Sequence, residues 1–236
     1  MFIPLDDRVR RTSFWFCTLA LIAANVYVFL VELDALYSGA NLNALIQHYA
    51  IVPARYTTPQ GLARLTLPGG VESILVAMFL HGGWLHLLGN MLFLFVFGRS
   101  IEDRFGHLKF LFIYFASGFA GAVLHIALNA GSRVPTIGAS GAIAGVLGAY
   151  FVCFPRARIT VTFFPLVFWT FDVMAVFVLG YWFLIQFLQG YQMLAIESAT
   201  GGGVAWWAHV GGFVCGMILA LALAPRPSRS IVLTDL

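Results

Sequence analysis

The sequence predicts an all-α polytopic membrane protein with six transmembrane helices. Three observations lead there. Of its 236 residues, 61% are hydrophobic and only 10% are charged, whereas a soluble domain carries about 25% charged residues. Mean hydropathy is +0.90. The apolar residues gather into runs near the length of about 20 residues that a helix needs to cross hydrocarbon.

The elements follow in order. Residues 1–12 form a polar segment holding Asp6, Asp7, Arg8, Arg10 and Arg11. The first apolar run, residues 13–33, is long enough to span and stay, so no removable signal peptide is expected. Residues 34–72 form a long loop with Pro53, Pro59, Pro68, Gly69 and Gly70. Further spans are expected at residues 74–98, 108–128, 140–154, 173–189 and 206–224. Segment 159–171 alternates like a strand until Pro165; it is expected as an interfacial connection, because an open strand cannot face lipid. The tail 225–236 has no evident role. Neither an internal repeat nor a second domain is visible, so residues 1–236 are read as one membrane domain.

Lysine and arginine set the orientation. With the N-terminus inside, the inner segments hold Arg8, Arg10, Arg11, Arg99, Arg104, Lys109, Arg156, Arg158, Arg226 and Arg229. The outer segments hold Arg55, Arg64 and Arg133. Both termini are therefore expected on the cytoplasmic side. The basic residues behind the net charge of +3 are dispersed rather than gathered in a patch, so the charge gives no sign of nucleic-acid binding. Cys17, Cys153 and Cys215 lie in apolar runs without a CxxC pattern; they are read as packing residues.

Polar groups inside apolar spans are costly and are functional candidates by default. Three signals stand out: Ser140, the pair His86 and Asn90, and His209. Counting from the inner ends of their spans, at 1.5 Å per residue, Ser140 and His209 come to about 22–24 Å and His86 to about 20 Å. All three thus approach one depth, toward the outer face. Ser140 follows Pro135 and Gly138, which suit a loop turning into a helix. At a helix N-terminus free N–H groups and the positive dipole end stabilise a developing oxyanion; a plain capping serine is the alternative. Ala208 with Gly212, and Gly141 with Gly145, are small-residue faces that let helix backbones approach closely. Close approach brings a serine oxygen within reach of an imidazole nitrogen, although simple helix packing fits the same faces. His86 and Asn90, four apart, share a helix face. They can donate to one negative oxygen or form an interhelical clamp. His81 is assigned no chemistry.

Rival chemistries lack their residues. There is no HExxH, no pair of span-centred aspartates and no GxSxG. Asp172 falls near the inner end of its span, too far from Ser140 to complete a triad.

The segments His81-Gly-Gly-Trp-Leu-His86-Leu-Leu-Gly-Asn90, Gly98-Arg-Ser-Ile-Glu102-Asp-Arg104-Phe-Gly106, Gly138-Ala-Ser140-Gly141 and Ala208-His209-Val-Gly-Gly212 together resemble the rhomboid intramembrane serine proteases. The resemblance implies a six-helix rhomboid-like bundle around a cavity open to the outer side. It implies Ser140 as nucleophile and His209 as general base, with His86, Asn90 and the Ser140 N–H as oxyanion hole. It gives Glu102, Arg104 and Gly106 a structural role, beside Gly138, Gly141 and Gly212. It suggests that the fifth span, with Tyr181, Trp182, Phe183 and Phe187, gates lateral entry. Two positions depart from the pattern. The loop 34–72 has no Trp, and Ala144 stands where some members carry an aromatic residue against the catalytic histidine. With no acid to orient it, His209 is expected to be placed by packing.

The expected function is an intramembrane serine endopeptidase that cuts transmembrane proteins near the outer face. The alternative is an inactive rhomboid-like chaperone or adaptor that holds transmembrane helices. The expected partners are transmembrane substrates and the lipid bilayer, with no nucleic acid, no metal and no cofactor. A core without a seventh span looks bacterial and suggests the inner membrane, with an organelle as the alternative.

Overall fold

The computed structural model describes residues 2–38, 42–57, 70–163, 166–195 and 204–224. In chain order these form β1 (Phe2–Asp7), α1 (Phe16–Tyr37), α2 (Leu42–Tyr49), a 3-10 turn (Pro53–Arg55), α3 (Gly70–Ala77) and α4 (Trp84–Phe93). A π segment (Leu94–Gly98) joins α4 to α5 (Arg99–Phe105). Then come α6 (His107–Leu128), α7 (Ser140–Cys153), β2 (Arg158–Phe163), β3 (Leu166–Met174), α8 (Ala175–Ala195) and α9 (Trp206–Leu223).

The fold is mostly helical. Among the described residues, four helical stretches are long and apolar enough to cross a membrane: Phe16–Tyr37, Trp84–Phe105, His107–Leu128 and Trp206–Leu223. The apolar α7 is shorter. α8 has 21 residues, but Gln186, Gln189 and Gln192 dilute its apolar character. Large side chains such as Phe112, Phe177, Ile218 and Leu221 stay exposed along α6, α8 and α9. An apolar surface of that extent needs lipid rather than water.

The second span lies later than its expected 74–98. Gly83 has φ +149° and Gly106 has φ +78°; these two breakers, not the charged residues between them, bound the helix. Glu102 can lie inside it because its carboxylate is fully used. One oxygen accepts from Cys17 N–H and from His107 Nδ1, and the other from Thr18 N–H and Oγ–H, all at 2.6–2.7 Å. The carboxylate thereby caps the start of α1, supplying partners that a helix N-terminus lacks. The stripe Thr18, Leu21, Asn25, Phe29, Glu32 of α1 is buried, one face at helical spacing.

At the centre stands α7. Every residue from Gly141 to Tyr150 is buried, as expected of a helix that is apolar all round. Small residues bring α9 against it. A Cβ at Gly212 would sit 2.0 Å from the Gly141 carbonyl oxygen, and one at Gly216 1.9 Å from that of Gly145. On α6, a Cβ at Gly121 would meet the Ala208 oxygen at 2.3 Å. No side chain fits between these backbones, so glycine sets the interhelical distance.

Two expectations need correction. The fold is not purely α, and segment 159–171, expected as an interfacial connection rather than a strand, holds most of β2 and β3. β1, β2 and β3 form a three-stranded antiparallel sheet in that order. Phe2 pairs with Phe163 and Asp7 with Ile159; Arg158 pairs with Met174. Pairing with β1 satisfies one edge of the hairpin, which the argument about open strands left out. Asp7, the last residue of β1, is buried and accepts from Arg11, Ser100 and Tyr150. Arg99 pairs with Asp6 at 2.7 Å and lies 3.9 Å over the Phe95 ring. The N-terminal segment is thereby bolted to the end of the bundle formed by α5 and the last turns of α7. The loop expected over 34–72 holds the end of α1, α2, the 3-10 turn and the start of α3; its residues 39–41 and 58–69 lie outside the described residues, as does the tail 225–236.

Candidate active site

Three helices and one loop converge on Ser140. The loop after α6 is pinned first. Thr136 and Ile51 exchange backbone hydrogen bonds of 2.8 and 3.0 Å, and Gly138 N–H donates to the Ala77 carbonyl at 2.8 Å. Gly138 has φ +128°, a conformation glycine adopts at little cost. Its missing side chain also matters: a Cβ there would lie 2.8 Å from Cε1 and Nε2 of His86 and 3.8 Å from Nδ2 of Asn90. The loop backbone therefore passes directly under both side chains.

Ser140 is the first residue of α7, and Ala139 occupies the cap without any side-chain cap bond. The serine hydroxyl is thus not spent on capping. It meets Nε2 of His209 at 2.8 Å. His209, on the second turn-edge of α9, is 7% exposed. Its Nδ1 lies 2.6 Å from Oε1 of Gln186 on α8. Trp182 lies 5.8 Å from the His209 ring at a 36° tilt, and Trp206 lies 6.3 Å away nearly edge-on. The first N–H groups of α7 have no intrahelical acceptor and point toward the hydroxyl end of the helix.

His86 and Asn90 are held from behind. Gly82 N–H donates to Nδ1 of His86 at 3.4 Å, which leaves Nε2 as the protonated nitrogen, on the side facing Gly138. His81 Nδ1 lies 3.1 Å from the Phe79 carbonyl. A carbonyl only accepts, so Nδ1 carries the proton and Nε2 is an acceptor. Asn90 Nδ2 donates to that Nε2 at 3.0 Å. This fixes the amide orientation of Asn90 and leaves its second N–H free to point elsewhere. His81 is itself held by Glu32, whose two carboxylate oxygens accept its backbone N–H at 3.1–3.2 Å. A cavity of about 30 Å³ opens beside Ser140, lined by Gly138, Gly141, Met78, Ala205 and Ala208 among others.

The residues match a known family. The model of the Rhomboid domain family covers residues 68–226. The chain belongs to the rhomboid family. It is 30% identical over 240 residues to RHOMBOID-like protein 4 of Arabidopsis thaliana, covering 93% of this chain and 56% of that protein. It is 29% identical to Rhomboid protein 1, mitochondrial, of Saccharomyces cerevisiae, covering 84% of this chain and 51% of the relative. Similarity to the bovine Presenilin-associated rhomboid-like protein, mitochondrial, is 30% over 84% of this chain and 46% of the relative. The chain of this rhomboid thus spans about half the length of these relatives.

Of the residues expected at the site, Ser140, His209, His86, Asn90, Gly138, Gly141 and Gly212 come together. Glu102, Arg104 and Gly106 sit apart, on α5 and at its end, where Gly106 N–H closes the helix onto the Glu102 carbonyl. Asp172 is engaged by Arg8 and Thr160. His81, assigned no chemistry, holds Asn90. One expectation changes. His209 is not placed by packing alone, because Gln186 bonds its far nitrogen. Gln186 was visible in principle as a polar residue in an apolar run. Yet Gln189 and Gln192 are equally visible and are exposed, while Gln186 is buried; only the rotation of α8 distinguishes them.

Proposed function

We propose that this rhomboid is an intramembrane serine endopeptidase acting on transmembrane proteins near the outer membrane face. The observation that carries the reading is the 2.8 Å contact between Ser140 Oγ and His209 Nε2 at the head of a buried helix. Ser140 Oγ attacks the scissile carbonyl carbon while Nε2 takes the hydroxyl proton. The carbonyl oxygen becomes negative and is received by the Ser140 N–H, His86 Nε2–H and the free N–H of Asn90. His209 returns the proton to the leaving nitrogen, the C–N bond breaks, and an acyl-serine remains. Water, deprotonated by the same nitrogen, then releases it.

In this reading α7 and α8 join the four long apolar stretches to make six spans, with both termini on the basic, inner side. The expected bacterial inner membrane stands beside relatives whose names place them in mitochondria. Entry is proposed between α4 and α8. A cavity of about 590 Å³ runs along α8, lined by Tyr181, Trp182 and Gln186 of that helix, by Phe93 of α4, and by Pro4 and Val161 of the sheet. A helical substrate hides its carbonyls in its own hydrogen bonds, so Gly or Pro near the cut site favours cleavage.

The test is cleavage of a tagged single-span substrate in proteoliposomes, with mass-spectrometric mapping of the cut. Ser140→Ala and His209→Ala are expected to abolish it, and a fluorophosphonate probe is expected to label Ser140. Wild-type protein that binds such a substrate yet neither cleaves it nor takes the probe would be an adaptor instead.

A further inference from the structure

We infer that Gln186 is the orienting third member of the site, an amide where a carboxylate would stand in an acid-bearing triad. The inference rests on the peptidase reading. A base that accepts at Nε2 must carry its proton on Nδ1. That N–H lies in a buried, apolar place and needs an acceptor. The Gln186 oxygen is 2.6 Å away, and among the described residues no other group bonds Nδ1. Gln186 is itself only 6% exposed, on a helix whose neighbouring glutamines face outward. A glutamine turned inward at that depth is costly unless its hydrogen bond is used.

The surroundings agree. Ala144 presents no ring to His209 from α7. Trp182, one turn before Gln186 on the same face of α8, lies over the imidazole instead, and Trp206 meets it edge-on. The ring is therefore held in position and rotation by α8 and by its own helix. The proton of Nδ1 stays on Nδ1 throughout. The amide takes no proton; its oxygen faces the imidazolium that forms when Nε2 receives the serine proton. The hydrogen bond thus strengthens as charge develops. The other titratable groups whose charge would act on the ring are His86 on α4 and His125 on α6; no carboxylate bonds it among the described residues.

The experiment compares full-length wild type, Gln186→Met, Gln186→Glu and Ser140→Ala in proteoliposomes, measuring kcat, KM and the acidic limb of the pH–rate profile. Gln186→Met keeps length and volume but removes the acceptor. It is expected to lower kcat by about 10- to 100-fold with KM near wild type, the loss of one hydrogen bond to a charged group. Gln186→Glu restores an acceptor and recovers rate relative to Gln186→Met. Once ionised it favours imidazolium, so the acidic limb moves about 1–3 pH units upward. Should Gln186→Met fail to insert, Gln186→Asn keeps the amide but withdraws it by one methylene and is expected to lose kcat in the same way. A Gln186→Met or Gln186→Asn enzyme with wild-type kcat and an unmoved limb overturns the inference, as does Gln186→Glu no faster than Gln186→Met at any pH. Wild-type protein that neither cleaves nor labels at Ser140 defeats the peptidase reading itself, whatever Gln186 does.

Discussion

Replacing Gly138 by alanine tests the donor geometry at one atom. The added Cβ would sit 2.8 Å from both Cε1 and Nε2 of His86, about 0.6 Å inside ordinary contact. The backbone cannot relax freely, because φ is +128° and the Gly138 N–H is tied to Ala77. A non-glycine residue there costs on the order of 1–3 kcal/mol of strain. The cheaper response is for the His86 ring to swing away. That removes one donor from the developing oxyanion, a loss worth about 10²–10³ in kcat. The expected result in the cleavage assay is a kcat lower by about that factor, with KM changed far less. The control is a double-mutant cycle with His86→Ala. If the alanine acts by displacing the ring, Gly138→Ala costs little more once His86 is gone. Gly138→Ala with wild-type kcat, or two losses that simply multiply, would refute the assignment of His86 as a donor held over Gly138.

Two further outcomes follow from packing. Gly216→Ala places a Cβ 1.9 Å from the Gly145 carbonyl oxygen, so α7 and α9 must separate; destabilisation of about 1–3 kcal/mol or more and slower fluorophosphonate labelling are expected, read by unfolding in mixed micelles and by probe kinetics. Glu102→Gln sets an amide N–H₂ against donors of Thr18 or Cys17 and is expected to cost about 1.5–3 kcal/mol, seen as a lower thermal midpoint, while kcat per folded molecule stays near wild type.

The parts of the site that could be read from the chain are those whose chemistry is local. Pro135, Gly138 and Gly141 around Ser140 mark a loop entering a helix, and Ala208 with Gly212 marks a close-packed face. His86 and Asn90 are four residues apart, so helical spacing alone puts them together. What stayed hidden depends on rotation or on distant pairing. Gln186 and His81 act through orientation, which no spacing rule gives. β1 was illegible because its partner lies more than 150 residues away, and because Asp6 and Asp7 read as solvated charge rather than as a buried clamp. The second span ran past its expected end because Arg99, Glu102 and Asp103 look like a boundary until their partners are found in β1, in α1 and in the approach to α1.

The pairing of β1 with β2 also sets an order of events during synthesis. Roughly 160 residues separate the partners, and at about 5–20 residues per second the leading strand waits on the order of 10–30 s for its mate. Throughout that interval Asp7 has no strand partner. Helices α1 to α7 are threaded while this end of the bundle is still unlatched, and the hairpin preceding α8 is the piece whose arrival closes it.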